Sequence, residues 1–275
     1  MHKIRVVTKA CSSFVEGICG SYNHEITSDL IITEYNPSGI EPQKASVIVT
    51  NDGSPIEIEY TREFQNEAQA GKNAWYAYCY TVSKDAFSAD GIYNLSVSGV
   101  DNAGIASDTA EYLDITFVVD NTLPELTVMA LDEDIINASG DYTVQFIAFD
   151  AMQLQSVCVY VNDHLAAEYL NGRDFTDAPE FTREFRLNEG LYQKVRFVLT
   201  DKTGNVTDTD SEEYLGAPFC KTVTVSGNFF ARLYANKPAL ISAIVGVILL
   251  LAAAVMLPLM ARKRKNKKMD VGDKT

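Results

Sequence analysis

The chain has 275 residues, 23 of them Lys or Arg and 37 Asp or Glu, for a net charge of −14. Residues 262–275 hold seven basic and two acidic side chains, so residues 1–261 carry 16 and 35, a net of −19. A body this acidic repels nucleic acid and anionic membrane surfaces, which excludes nucleic-acid recognition.

At the N-terminus no apolar core of leader length is present, because Arg5 interrupts Ile4–Val7 and Glu16 interrupts Ser13–Cys19. The chain is therefore expected to begin within a larger protein; a tail-anchored protein with a cytosolic body also lacks a leader, but would put its basic tail on the wrong face of the membrane. Lys3-Ile4-Arg5-Val6-Val7 reads as a first strand. Ser46-Val47-Ile48-Val49-Thr50 reads as another, followed by the turn Asn51-Asp52-Gly53. Residues 61–73, rich in Glu, Gln and Ala, are predicted to form one or two helical turns. In residues 75–80, Trp75 alternates with Tyr76, Tyr78 and Tyr80, so one set faces away from the core. An exposed aromatic stripe would suit an extracellular protein or glycan ligand; cross-strand packing under the 61–73 insert accounts for the same residues.

Further along, Asp90-Gly91-Ile92-Tyr93, Leu95, Val97 and Asp101-Asn102-Ala103-Gly104 are matched by Glu189-Gly190-Leu191-Tyr192, Val195, Phe197, Leu199 and Asp201-Lys202-Thr203-Gly204-Asn205. The offset is 99 at the tyrosine and 100 from the leucine onward. A second match joins residues 46–53 to Ser156-Val157-Cys158-Val159-Tyr160-Val161 with its turn Asn162-Asp163. One unit has been duplicated. The two-residue spacing of Tyr93 and Leu95 against the three-residue spacing of Tyr192 and Val195 predicts a β-bulge near Gln193 and Lys194. Strands are also expected over 125–130, 141–149, 181–187, 192–200 and 221–225, where alternation or β-branched and aromatic residues dominate.

These residues resemble the tandem bacterial immunoglobulin-like (Ig-like) repeats of surface proteins. Asp90-Gly91-Ile92-Tyr93 looks like the tyrosine corner before the sixth strand of such sandwiches. The Asp-x-x-Gly that ends that strand and the linker Phe117-Val118-Val119-Asp120-Asn121-Thr122-Leu123-Pro124 resemble the turn and junction that recur between repeats. Ile105 departs from the Asn that usually follows the glycine, and the second copy ends in residues 222–226 without the proline linker. The resemblance implies an all-β chain of two tandem Ig-like antiparallel β-sandwiches, residues 1–120 and 121–226. It says little about ligand.

Five cysteines, Cys11, Cys19, Cys79, Cys158 and Cys220, leave at least one unpaired or bridged to another chain. Cys11 with Cys19 and Cys158 with Cys220 are candidate pairs, while Cys79 and Cys158 serve equally well as small buried hydrophobes. The turns at Asp101 and Asp201 are read as backbone caps, not calcium loops. A better calcium candidate, weighed against a solvated acidic corner, is the junction of Asp120 and Asn121 with Asp132, Glu133 and Asp134. No metal, cofactor or catalytic residue is assigned, because no nucleophile, metalloprotease or phosphate-loop motif occurs.

A juxtamembrane linker, 227–238, leads to residues 239–261, which carry no charge and span the roughly 30 Å of a bilayer core. Six basic residues in 262–268 follow, the signature of a cytoplasmic tail, 262–275. The sequence thus predicts a single-pass membrane protein with its body outside the cell, in contact with the lipid bilayer. Its expected role is a stalk or adhesion-related spacer presenting upstream domains; the alternative is a binding module using residues 61–80.

Overall fold

The computed structural model describes residues 3–8, 18, 20–36, 41–67, 75–106, 115–129, 131–211 and 220–272. They form several β-sheets followed by one long apolar C-terminal helix. In chain order the first nine strands are β1 (Lys3–Thr8), β2 (Tyr22–Asn23), β3 (Leu30–Asn36), β4 (Ser46–Asn51), β5 (Ser54–Ile56), β6 (Tyr60–Glu67), β7 (Trp75–Val82), β8 (Gly91–Ser98) and β9 (Ile115–Val119). Then come β10 (Glu125–Met129), β11 (Ile135–Ile136), β12 (Tyr142–Phe149), β13 (Leu154–Val161), β14 (His164–Leu170), β15 (Glu180–Leu187), β16 (Gly190–Asp201), β17 (Val206–Asp208) and β18 (Lys221–Val225).

Two sheets, ordered β1-β3-β7-β6 and β2-β9-β8-β4-β5, share one core. Leu30, Ile32, Tyr80 and Val82 of the first meet Val49, Tyr93, Leu95, Val97 and Phe117 of the second. Two further sheets, β10-β12-β15 and β11-β18-β16-β13-β14 with β17 beside β16, enclose a separate core that includes Phe146, Phe185, Val157, Phe197 and Val223. Alternation explains both: on β8, Tyr93, Leu95 and Val97 are buried, and on β16, Val195, Phe197 and Leu199 are buried. The hairpin turns of the two units have the same backbone form. Asp52 and Gly53 between β4 and β5, and Asn162 and Asp163 between β13 and β14, all have positive φ, as a two-residue type I′ hairpin requires.

Three sequence expectations are corrected. Residues 61–67 are not helical: they lie in β6 and pair antiparallel with β7 from Tyr60 opposite Val82 to Glu67 opposite Trp75, because backbone pairing along the open edge of β7 overrides the local propensity of a polar stretch; residues 68–74 lie outside the described residues. The bulge of the second unit sits one or two residues earlier than 193–194, as a register shift against β18 between Gly190 and Gln193, with Tyr192 at φ 52°. Cys158 and Cys220 are not bonded to each other: Cys158 is held on the β13 ladder while the Cys220 thiol faces Asp210, and Cys79 is buried in the first unit. Cys11 and Cys19 lie outside the described residues.

The bulge changes which residue occupies the corner. Tyr93 is buried and its hydroxyl donates to Ala89 O at 2.8 Å. In the second unit Tyr192 is half exposed, and Gln193 takes the buried place, its Nε2 donating to Asn188 O at 2.9 Å. The extra residue rotates Tyr192 outward, and the glutamine amide replaces the phenol as the donor that ties the strand start to the preceding turn.

After β18, a short helix α1 (Phe229–Ala235) is capped by Asn228, which accepts from Phe230 N and Ala231 N. Arg232 fastens α1 to the second unit through Asn137 Oδ1 and Ser226 O. The last helix, α2 (Lys237–Gly272), contains a stretch Lys237–Ala261 that is long and apolar enough to cross a membrane and holds no buried residue.

Candidate functional site

Tyr80, one of the four aromatic residues marked for a ligand surface, is fully buried in the first core. This corrects the exposed-stripe reading at that position: the Tyr80 side chain lies on the face of β7 that meets the second sheet, in one core with Tyr93, Leu95 and Phe117, and its ring stands 6.1 Å from that of Tyr60. Trp75, Tyr76 and Tyr78 lie on β7, and their side chains are outside the described residues.

The polar side chains converge elsewhere, at the linker between the two units. Asp101 and Asp201, at the ends of β8 and β16, do cap their turns: Asp101 Oδ1 accepts from Ala103 N and Ile105 N, and Asp201 Oδ1 from Gly204 N and Asn205 N. In the second unit the cap reaches further. Asn205, which is buried, places Nδ2 2.9 Å from Asp120 O, 3.1 Å from Thr122 O and 2.7 Å from Asp201 Oδ2. Thr203 Oγ1 and Thr207 Oγ1 donate to Asp120 O and Pro124 O.

Asp90, in the turn before β8 of the first unit, binds the same linker from the other side. Its Oδ1 accepts from Asn121 N at 2.8 Å and its Oδ2 from Thr122 Oγ1 at 2.5 Å. Burial raises its pKa, but these hydrogen bonds outweigh burial and hold it below the usual carboxylate value. The first unit also touches the second directly. His24 Nδ1 donates to Asn205 Oδ1 at 2.6 Å, Tyr22 OH donates to Gln153 Oε1 at 3.3 Å, and the Lys202 ammonium stands 5.0 Å from the centre of the Tyr22 ring.

At the centre of this junction lie Asp120 from the linker, Asp150 from the end of β12 and Asp201 from the end of β16, all three buried. One carboxylate oxygen from each lies within 4.8 Å of the other two. Asp120 Oδ1 accepts from Thr122 N and Asp150 Oδ1 from Met152 N, whereas Asp120 Oδ2 is buried with no hydrogen-bond partner. Burial, then the charges of Asp120, Asp201 and Asp90, push Asp150 up to about 6 against the pull of the Met152 amide. Asp120 is raised by burial and by Asp201 and Asp90.

The junction differs from the one the sequence suggested. Asp132, Glu133 and Asp134 follow β10 and lie at its far end, about 16 Å from the linker at 3.3 Å per residue. There Lys221 Nζ binds Leu131 O and Asp132 O and pairs with Asp134 at 3.4 Å. Asp150 was missed because, at the end of an alternating strand, it reads as an ordinary turn residue; only the antiparallel return of β12 and β16 to one pole brings it beside Asp120.

Comparison with protein families, with curated proteins and with solved structures finds no match for this chain.

Proposed function

We propose that the chain is a membrane-anchored stalk, two tandem Ig-like β-sandwiches over residues 1–120 and 121–226 that hold what lies upstream away from a bilayer crossed by the apolar part of α2. The observation that carries this reading is the linker: residues 120–122 are hydrogen-bonded by Asp90 from one unit and by Asn205 from the other. A spacer transmits position only if its modules are coupled, and this linker is held on both sides instead of being left to swing. The corner at Tyr93, its glutamine counterpart at Gln193 and the paired hairpin turns support the duplication of one sandwich unit. Residues 226–228 join β18 to α1 and Asn236 alone joins α1 to the apolar helix, so the body stands close to the span. The six basic residues of 262–268 favour a cytoplasmic C-terminus.

Protease added to intact cells expressing the full chain should digest the body and spare an epitope placed after Thr275. Protection of the body in cells that export other surface proteins would overturn the reading. Surface attachment by the full-length protein that depends on residues 75–80, in a variant still folded and displayed, would favour the binding module.

A further inference from the structure

We propose that Asp120, Asp150 and Asp201 form a calcium site that clamps the linker to the pole of the second unit. Three buried carboxylates with mutually close oxygens are costly to hold without a counter-charge, because each ion loses its water and repels the other two. Among the described residues the local structure gives them hydrogen-bond donors but no cation. Lys202, the nearest lysine in sequence to Asp201, is engaged by Asp177 and Gln153, and the His24 ring is engaged by Asn205. What remains is a centre where one oxygen from each carboxylate meets the other two, and one of these carboxylates, that of Asp120, keeps an oxygen, Oδ2, buried and without a hydrogen-bond partner.

The donor set selects the ion. All three ligands are carboxylate oxygens, the preference of hard cations, while zinc favours thiolate and imidazole. Ligands about 2.4 Å from a calcium ion stand at most about 4.8 Å apart, and these oxygens satisfy that bound. Their hydrogen bonds leave capacity: Asp201 Oδ2 accepts from Asn205 Nδ2 and each carboxylate oxygen carries two lone pairs. The architecture also explains why the ion would matter. Asp120 belongs to the linker, whereas Asp150 and Asp201 terminate β12 and β16, one from each sheet of the second unit. A bound ion would tie both sheets to the segment that Asp90 grips from the first unit.

The test uses the full chain in detergent micelles, so it is independent of membrane topology and of the stalk reading. Equilibrium dialysis with radioactive calcium at pH 7.4 should show one saturable site, with a dissociation constant on the order of 10⁻⁴ to 10⁻³ M, the range of extracellular modules. Asp150→Asn should weaken binding at least tenfold, and Asp132→Asn, at the opposite pole, should leave it unchanged. Thermal unfolding supplies the second readout. In chelator, Asp150→Asn should melt above the parent because it removes a repelling charge; in calcium only the parent should gain. No saturable binding by the parent chain, loss of binding in Asp132→Asn, or unaltered binding in Asp150→Asn would each overturn the proposal.

Discussion

Asp90 and Asn205 belong to different units and between them hold the three linker residues 120–122, with Thr122 bonded by both: Asp90 accepts from the Asn121 amide at 2.8 Å and from Thr122 Oγ1, and the Asn205 amide lies 2.9 and 3.1 Å from the carbonyls of Asp120 and Thr122. The first contact is exposed and the second buried, so their removal has unequal effects. Asp90→Ala should speed hydrogen exchange at the Asn121 amide while leaving the second core protected, at a cost of about 1 kcal/mol. Asn205→Ala removes the side-chain donor to the Thr122 carbonyl and to Asp201 Oδ2, and one of the donors to Asp120 O, and should lower the stability of the second unit by about 2–3 kcal/mol. Residue-resolved exchange separates the two: equal protection of the linker in both variants would show that the grip is not shared.

The corner residues make a paired prediction. Tyr93→Phe removes only the hydroxyl bond to Ala89 O and should cost about 1 kcal/mol in denaturant unfolding. Gln193→Ala opens a small void and leaves Asn188 O without its donor, for about 1–3 kcal/mol. Tyr192→Ala should cost less than Gln193→Ala, because Tyr192 lies on the surface. A larger loss at Tyr192 would mean that the tyrosine, and not the glutamine, holds the corner.

That pair also shows how far the sequence could be read. Alternation identified the strands and the core faces of β8 and β16, because a buried face demands period two whatever the partner. The extra residue in the second copy was visible as a change of offset from 99 to 100, yet its place was not: a tyrosine aligned with a tyrosine by identity, while packing prefers Gln193 at the buried position and ejects Tyr192. The polar 61–67 stretch looked helical in isolation, but pairing along the whole edge of β7 overrode its propensity. The Asp cluster was the least legible feature. Its members are far apart in sequence, share no motif with one another, and meet only because two strands end at the pole from which the linker enters.

The free thiols give a chemical test of packing. Burial and the Asp210 carboxylate push Cys220 up to about 11, and burial with Glu168 raises Cys158. An aromatic disulfide reagent at pH 8 should therefore modify Cys220 roughly 100-fold more slowly than a free thiol, whose pKa is about 8.5, and peptide mapping under non-reducing conditions should recover Cys158 and Cys220 unlinked to each other. Rapid labelling of Cys220 would place it outside the environment of Asp210 and Lys194.

Acid should act on the second unit through Asp208. Arg196 Nε and Nη2 donate to its two oxygens at 2.8 and 2.5 Å, and the guanidinium also stands 5.2 Å from the centre of the Tyr160 ring. The Arg196 hydrogen bond, opposed by burial and helped by the Asp210 amide, lowers the Asp208 pKa below 3.8. A depressed folded-state pKa contributes stability that is present above the unfolded value of 3.8 and is lost as pH falls through the folded value. Both side chains are only about a quarter exposed, so the bidentate pair should contribute about 1–2 kcal/mol at pH 7. Arg196→Met keeps much of the stem over Tyr160 but removes the pull on Asp208. The stability difference between parent and variant should be full at pH 7 and pH 5 and shrink towards pH 2, measured by urea unfolding at each pH. A difference that stays constant down to pH 2 would assign the effect to lost packing on Tyr160 and not to the charge on Asp208.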